Sequence, residues 1–209
     1  MGKVIKGKWD KSQAAEKSGQ GDPGGRDKVY QLRISLEGSK PEEIWRRFLV
    51  SGNTTLSKLH RVIQAVMDWT DTHLHEFIID NVAYSEPDPE FGVEGVQNEK
   101  KVHLYQVAPR PRKSFLYVYD FGDDWAHKVT VEKIMDKHER FSGKPVCLGG
   151  ERACPPEDSG GIYSYYEKLD IIEDPGDPDY EDILEWLGDD FDPDYFDVEE
   201  TNEILKKMR

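Results

Sequence analysis

The densest alternation of apolar and polar positions lies between Ser114 and Glu132, SFLYVYDFGDDWAHKVTVE, and it predicts a β-hairpin around which the chain is organised. In the first arm Phe115, Tyr117, Tyr119 and Phe121 share one face while Leu116 and Val118 lie on the other, the pattern of a central strand covered on both sides. In the second arm Trp125, His127, Val129 and Val131 occupy a buried face, and Lys128, Thr130 and Glu132 a wet one. Between the arms, Gly122 supplies backbone freedom and Asp123 and Asp124 are ordinary turn residues.

Upstream, Val29 to Glu37 alternates as a half-buried strand, and Ile44 to Val50 (IWRRFLV) returns as a second one after the turn at Gly38–Pro41. Paired Arg46 and Arg47 on that strand read as an ion-paired face rather than a phosphate clamp. Asn53 or Thr54 then caps the main helix, with Leu56, Leu59, Ile63, Val66 and Met67 at helical spacing. His73 to Ile79 predicts a third strand with His73, His75, Phe77 and Ile79 on alternate positions, Val82 to Tyr84 a short one, and Val102 to Val107 another. Between these, Ser85 to Lys100 reads as an acidic loop. Phe141 to Gly161 lacks periodicity and reads as a long loop kept for function. Three acidic helices follow, one led by Glu157-Asp158-Ser159, one by Asp177-Pro178 and one by Asp197, the last with Ile204, Leu205 and Met208 inward.

These elements predict an α+β fold, a mixed, mostly antiparallel sheet packed on one main helix and followed by short acidic C-terminal helices. Residues 1–28, rich in Gly, Lys, Ser and Gln, are expected to be a disordered arm, and 29–209 a single domain whose acidic helical part occupies about 160–209. The C-terminal helices are expected to pack on the sheet, because Tyr165, Leu169, Ile183, Leu187 and Leu205 would otherwise expose too much apolar surface.

Charge sharpens the functional picture. The chain has 209 residues and a net charge of -14. Residues 1–150 are nearly balanced, with 23 Lys and Arg against 22 Asp and Glu, while 151–209 hold 5 against 20. Such a C-terminal third repels duplex phosphates, so direct DNA binding is not expected. It suits a basic protein partner instead. Two cysteines, the lack of a charged-then-apolar leader and the lack of any membrane-length apolar run predict a soluble, cytoplasmic protein with no membrane association.

The turn carboxylates need donors, and the long loop offers Arg152 and several glycine amides, so hairpin and loop are expected to meet. A functional surface is expected at their junction, drawn from Asp120, Asp123, Trp125, His127, Arg152, Glu157 and Asp158, with Arg152 pairing to Asp120 or Asp123. Metal-ligand candidates are weaker. His73 and His75 stand at i and i+2 and His127 on the hairpin, while Cys147 and Cys154 are six residues apart instead of the two to four of a zinc knuckle. No cofactor motif is present: there is no phosphate-cradling GxxxxGK[ST], no G-x-S-x-G elbow and no HExxH. A divalent metal is the one cofactor left open.

Trp45-Arg46-Arg47, Leu59-His60 with Ile63-Gln64, Trp69, His73-Leu74 with Phe77, Tyr119-Asp120-Phe121-Gly122-Asp123 with Trp125 and His127, Pro145 with Cys147, Pro155-Pro156-Glu157-Asp158 with Gly160-Gly161, and Phe191-Asp192-Pro193 occur in one order. Together they resemble the plasmid Ri open-reading-frame-three-like family over roughly residues 29 to 207. The resemblance implies an α+β fold and a protein carried on bacterial and archaeal plasmids and chromosomes, without an established activity. Some relatives bear a resolvase label, but neither a serine nucleophile with phosphate-holding arginines near the start nor a basic helix-turn-helix at the end is visible here. The balance favours a non-catalytic protein-interaction module. The alternative is a metal-assisted hydrolase or nuclease working through His and Asp residues around the Asp120 to His127 hairpin.

Overall fold

A computed structural model of the chain describes residues 23–39, 43–86, 95–188 and 190–208. The expected disordered arm lies largely outside them, as does the middle of the acidic loop. The eight strands are β1 (Val29–Leu36), β2 (Trp45–Ser51), β3 (His75–Ile79), β4 (Val82–Ser85), β5 (Gln97–Asn98), β6 (Ser114–Tyr119), β7 (Trp125–Met135) and β8 (Val146–Glu151). They form one sheet in the order β5-β4-β3-β6-β7-β1-β2-β8, antiparallel except for β4 with β5. Among the described residues five α-helices accompany it: α1 (Leu56–Met67), α2 (Leu104–Val107), α3 (Gly161–Glu173), α4 (Tyr180–Leu187) and α5 (Val198–Lys207). The fold is α+β, with no helix among the described residues long and apolar enough to cross a membrane.

The predicted hairpin is β6 and β7, paired from Ser114↔Thr130 to Tyr119↔Trp125 near the middle of the sheet. Its inward positions Tyr117, Tyr119, Trp125, His127, Val129 and Val131 are buried with α1 residues Leu56, Leu59, Ile63, Val66 and Met67. Each such apolar side chain gains about 1.5–3 kcal/mol relative to exposure. Thr55 caps α1, its side chain accepting from Lys58 N at 3.2 Å, one residue beyond the expected Asn53 or Thr54. Phe121 departs from its predicted face and is 54% exposed, because Asp120 enters the left-handed region (φ 56°) and ends the strand.

On the outer face Arg33 grips Glu43 and Arg47 grips Glu132, each through two hydrogen bonds, with the Trp45 ring 4.8 Å from one guanidinium and 5.0 Å from the other. Arg46 turns the opposite way and is buried. Its guanidinium donates to the carbonyls of Val66, Trp45 and Glu151 at 2.8–2.9 Å and lies 3.9 Å from the Phe196 ring. It thereby closes the C-terminal end of α1 and ties it to β2 and β8.

Three local expectations are corrected. Val102–Val107 is not a strand: α2 forms there because Gln106 reaches back to His103 N (2.7 Å) while Leu104 N and Tyr105 N bond the carbonyls of Thr54 and Gly52. Phe141 to Gly161 is not all loop, since β8 pairs with β2 along the sheet edge. Its glycines hide the alternation; a Cβ on Gly150 would stand 2.6 Å from Arg46 Cδ. Ile204 points outward, 41% exposed, because the inward stripe of α5 runs through Thr201, Asn202 and Leu205. Asn202 bonds both the N–H and the carbonyl of Cys147, at 2.8 and 3.0 Å, which seats α5 on β8.

Candidate functional site

The segment Trp69–His75, joining α1 to β3, is where the hairpin turn and the loop before α3 converge. Asp68 and Asp71, both at positive φ (60° and 61°), turn the chain sharply off the helix. Trp69 anchors the bend by donating from Nε1 to Pro155 O at 2.9 Å. Glu157 then receives hydrogen bonds from Thr70 N (3.2 Å), from the hydroxyls of Thr70 and Thr72, and from Tyr119. Burial alone would raise the Glu157 carboxyl, but these donors outweigh it and hold it below the usual carboxylate range. Tyr119 responds oppositely, pushed up to about 12 by burial and by the carboxylate it faces.

His73 sits beside this knot and is flanked by carboxylates on both sides. Its Nδ1 faces Asp120 Oδ2 at 3.5 Å and its Nε2 faces Asp158 Oδ1 at 3.2 Å. Asp120 is oriented by its other oxygen, which accepts from Gly122 N at 2.9 Å. Asp158 is largely exposed, whereas His73 Nε2 is buried and its approach to Asp158 lacks the angles of a hydrogen bond. The turn and loop are locked together by Gly160 N donating to Asp123 Oδ2 (2.9 Å) and by Gly161, whose added Cβ would meet Asp123 O at 2.7 Å. Only glycine, here at φ 83°, admits that approach.

A second, inner network lies behind. The rings of His60 and His75 stack face to face, 3.4 Å apart and within 1° of parallel. His60 Nε2 meets Asp71 (2.7 Å) and His75 Nε2 meets the buried Glu99 (2.8 Å). Tyr117 OH accepts from Gln64 Nε2 (3.0 Å), so its own proton goes to His60 Nδ1 (2.8 Å), leaving the His60 Nε2–H to donate to Asp71. That is neutral imidazole, in keeping with a His60 pKa lowered by burial and then by His75 against the pull of Asp71 and Glu99.

Two groups, His60–Asp71–His75 and His73–Asp120–Asp158, have ligand atoms within 4.8 Å of one another. The first is poorly made for a metal, because stacked rings hold their in-plane lone pairs in parallel planes that do not converge on one point. The second is better. Around an ion bound at about 2.0–2.1 Å, tetrahedral ligand atoms lie roughly 3.3 Å apart. The Nε2 to Oδ1 separation of 3.2 Å matches that.

The structure therefore gathers Asp120, Asp123, Glu157 and Asp158, but through His73 and glycine amides. Arg152, at positive φ (65°) just past β8, reaches Asp194 at 2.6 Å instead, in a stretch where Ala153 N bonds Pro193 O. Trp125 and His127 stand behind Trp69 in the core, 1% and 0% exposed. His127 is pushed down to about 3 by burial; its nitrogens lie near the Trp125 and Tyr117 carbonyls without a hydrogen bond of normal geometry. His73 and His75 do not face one ion, since β3 starts only at His75 and the two rings address different carboxylates. Cys147 is buried in β8, and Cys154 lies 3.7 Å from Met67 Sδ and 3.2 Å from Arg46 Nη2. The contributions of Asp71, Glu99 and Tyr117 carry no sequence signal of their own; the alternation of Tyr117 and Tyr119 marks them only as core.

Comparison with known proteins agrees with this architecture. The chain is 35% identical over 158 residues to an uncharacterized protein, y4hQ, of Sinorhizobium fredii (strain NBRC 101917 / NGR234), a match spanning 76% of this chain and 80% of that protein. It is also similar to the crystal structure of a protein of unknown function, MM3350 from Methanosarcina mazei Go1, with a TM-score of 0.73 and 42% identity over 82% of this chain and 96% of the other. The family model described as plasmid pRiA4b ORF-3-like protein matches residues 28–200, and the chain belongs to that family.

Proposed function

We propose that this protein binds a divalent metal ion between His73 Nε2 and Asp158, with Asp120 behind the ring, and uses it for hydrolysis of a small substrate. The observation that carries the reading is the buried His73 Nε2, 3.2 Å from an exposed Asp158 carboxylate with which it makes no proper hydrogen bond. A buried nitrogen left this way is stabilised by a cation shared with that carboxylate. Asp120, 3.5 Å from Nδ1, is placed to orient the ring and raise its basicity, as carboxylates behind ligating histidines do. One imidazole and one carboxylate suit Zn²⁺ or Mn²⁺ and leave coordination positions for water, which a bound metal would acidify into a nucleophile. Glu157, held ionised beside the site, is placed to accept a proton. The acidic C-terminal third disfavours a nucleic acid backbone as substrate.

Isothermal titration of metal-free protein with Zn²⁺, Mn²⁺, Mg²⁺ and Ca²⁺ tests the assignment. One ion per chain is expected, with His73→Ala and Asp158→Asn each weakening it by at least the roughly 10- to 100-fold typical of an outer partner and Asp71→Asn leaving it unchanged. Binding indifferent to His73→Ala sinks the site. If no metal binds, the non-catalytic interaction module favoured by composition is what remains.

A further inference from the structure

We infer that the outward face of α3 and α4 is a docking surface for a lysine- and arginine-rich segment of another protein. The inference is independent of the metal chemistry and rests on a different part of the molecule. No lysine or arginine stands between Lys168 and Lys206, a stretch that contains sixteen Asp and Glu.

Helix α4 is amphipathic by sequence, yet none of its residues is buried, and among the described elements it packs mainly on α3. Its exposed positions combine carboxylates with aromatic surface: Glu181, Asp182, Glu185 and Trp186, the last 43% exposed, with Tyr163 of α3 89% exposed.

These charges serve the helix only in part: Glu181 and Asp182 suit its first turn, but the rest of the arrangement does not. Glu181 and Glu185 stand at i and i+4, where like charges destabilise, and Glu185 lies in the last turn, where the helix dipole disfavours an anion and no basic residue compensates. A surface that keeps unhelpful negative charge next to exposed aromatic rings is complementary to guanidinium and ammonium groups, which pair with the carboxylates and lie over the rings. The molecule already contains one such contact, since the Lys168 ammonium sits 5.3 Å from the Trp186 ring centre. Lys168 is held there by Ser159 O (3.0 Å) and Ser164 Oγ (2.8 Å), so it is part of the fold and leaves the rest of the face uncompensated.

The probe is a fluorescein-labelled amphipathic peptide of arginine and leucine, followed by anisotropy, with a glutamine-for-arginine copy as control. The full chain is expected to bind the basic peptide and not the control, and raising NaCl from 50 to 300 mM should weaken binding about tenfold or more. The double variant Glu181→Lys with Glu185→Lys should lose at least about tenfold, and Trp186→Ala several-fold, with unchanged circular dichroism and Tm. A matched double variant on α5, Glu199→Lys with Glu203→Lys, changes net charge equally and should bind nearly as well as the parent. Equal loss in both double variants would show that net charge alone attracts the peptide and would overturn the proposal. So would binding of the glutamine peptide, or sedimentation showing that the face instead pairs two copies of the chain.

Discussion

His127 makes the acid response of this fold a direct test of its core. The imidazole is fully buried and its pKa is pushed down to about 3, whereas in the unfolded chain it sits at the ordinary 6.5. As pH falls through 6.5 the unfolded chain takes up a proton that the folded chain refuses until about pH 3, so stability falls across that window. With these two values, linkage gives a loss of about 2 kcal/mol between pH 7 and pH 5 and about 3 kcal/mol by pH 4 from this residue alone. His127→Leu removes the titration while keeping an apolar side chain against Trp69 and Tyr117, which lie 5.2 and 5.7 Å from the imidazole ring centre. The measurement is urea unfolding followed by tryptophan fluorescence at pH 7 and pH 5 for parent and variant. Any packing change in the variant is common to both pH values and cancels, as do the contributions of other groups. The parent should lose about 2 kcal/mol more than the variant between the two conditions. A difference under about 0.5 kcal/mol would mean that His127 accepts a proton in the folded state, and the dry-core argument would be wrong.

Arg46→Met leaves the carbonyls of Val66, Trp45 and Glu151 without their donor and should lower stability by at least about 3 kcal/mol, at roughly 1–3 per unsatisfied group. Arg33→Met, at a partly exposed ion pair on the outer face, should lower it by under about 1 kcal/mol, and equal losses in the two would contradict the assignment. Trp125→Ala should lower stability by about 3–5 kcal/mol in thermal or denaturant unfolding, as for large-to-small core changes, and a loss under about 1 would place this side chain outside the core. Gly161→Ala forces a Cβ against Asp123 O at φ 83° and should lose at least about 1 kcal/mol. It should also weaken the proposed metal site without touching a ligand, which titration of the variant with Zn²⁺ checks.

The elements with strong periodicity were legible in the chain alone. β1, β2, α1 and the β6–β7 hairpin each carry an apolar face whose period matches its backbone, and burial of that face decides its structure. The charge division was equally plain, since charge needs no geometry to count. Val102–Val107 and β8 were not legible, because a short apolar run and a glycine-rich edge have no intrinsic preference strong enough to resist their surroundings. Hydrogen bonds to the carbonyls of Thr54 and Gly52 made the first a helical turn, and pairing with β2 made the second a strand. At the candidate site the sequence pointed to the meeting of the FGDD turn and the PPED loop, through carboxylates in need of donors. It could not show that Arg152 turns to Asp194 while His73 stands between Asp120 and Asp158. Those choices depend on left-handed residues at Asp71, Asp120, Arg152 and Asp158, whose side chains are aimed by single backbone turns that leave no period behind.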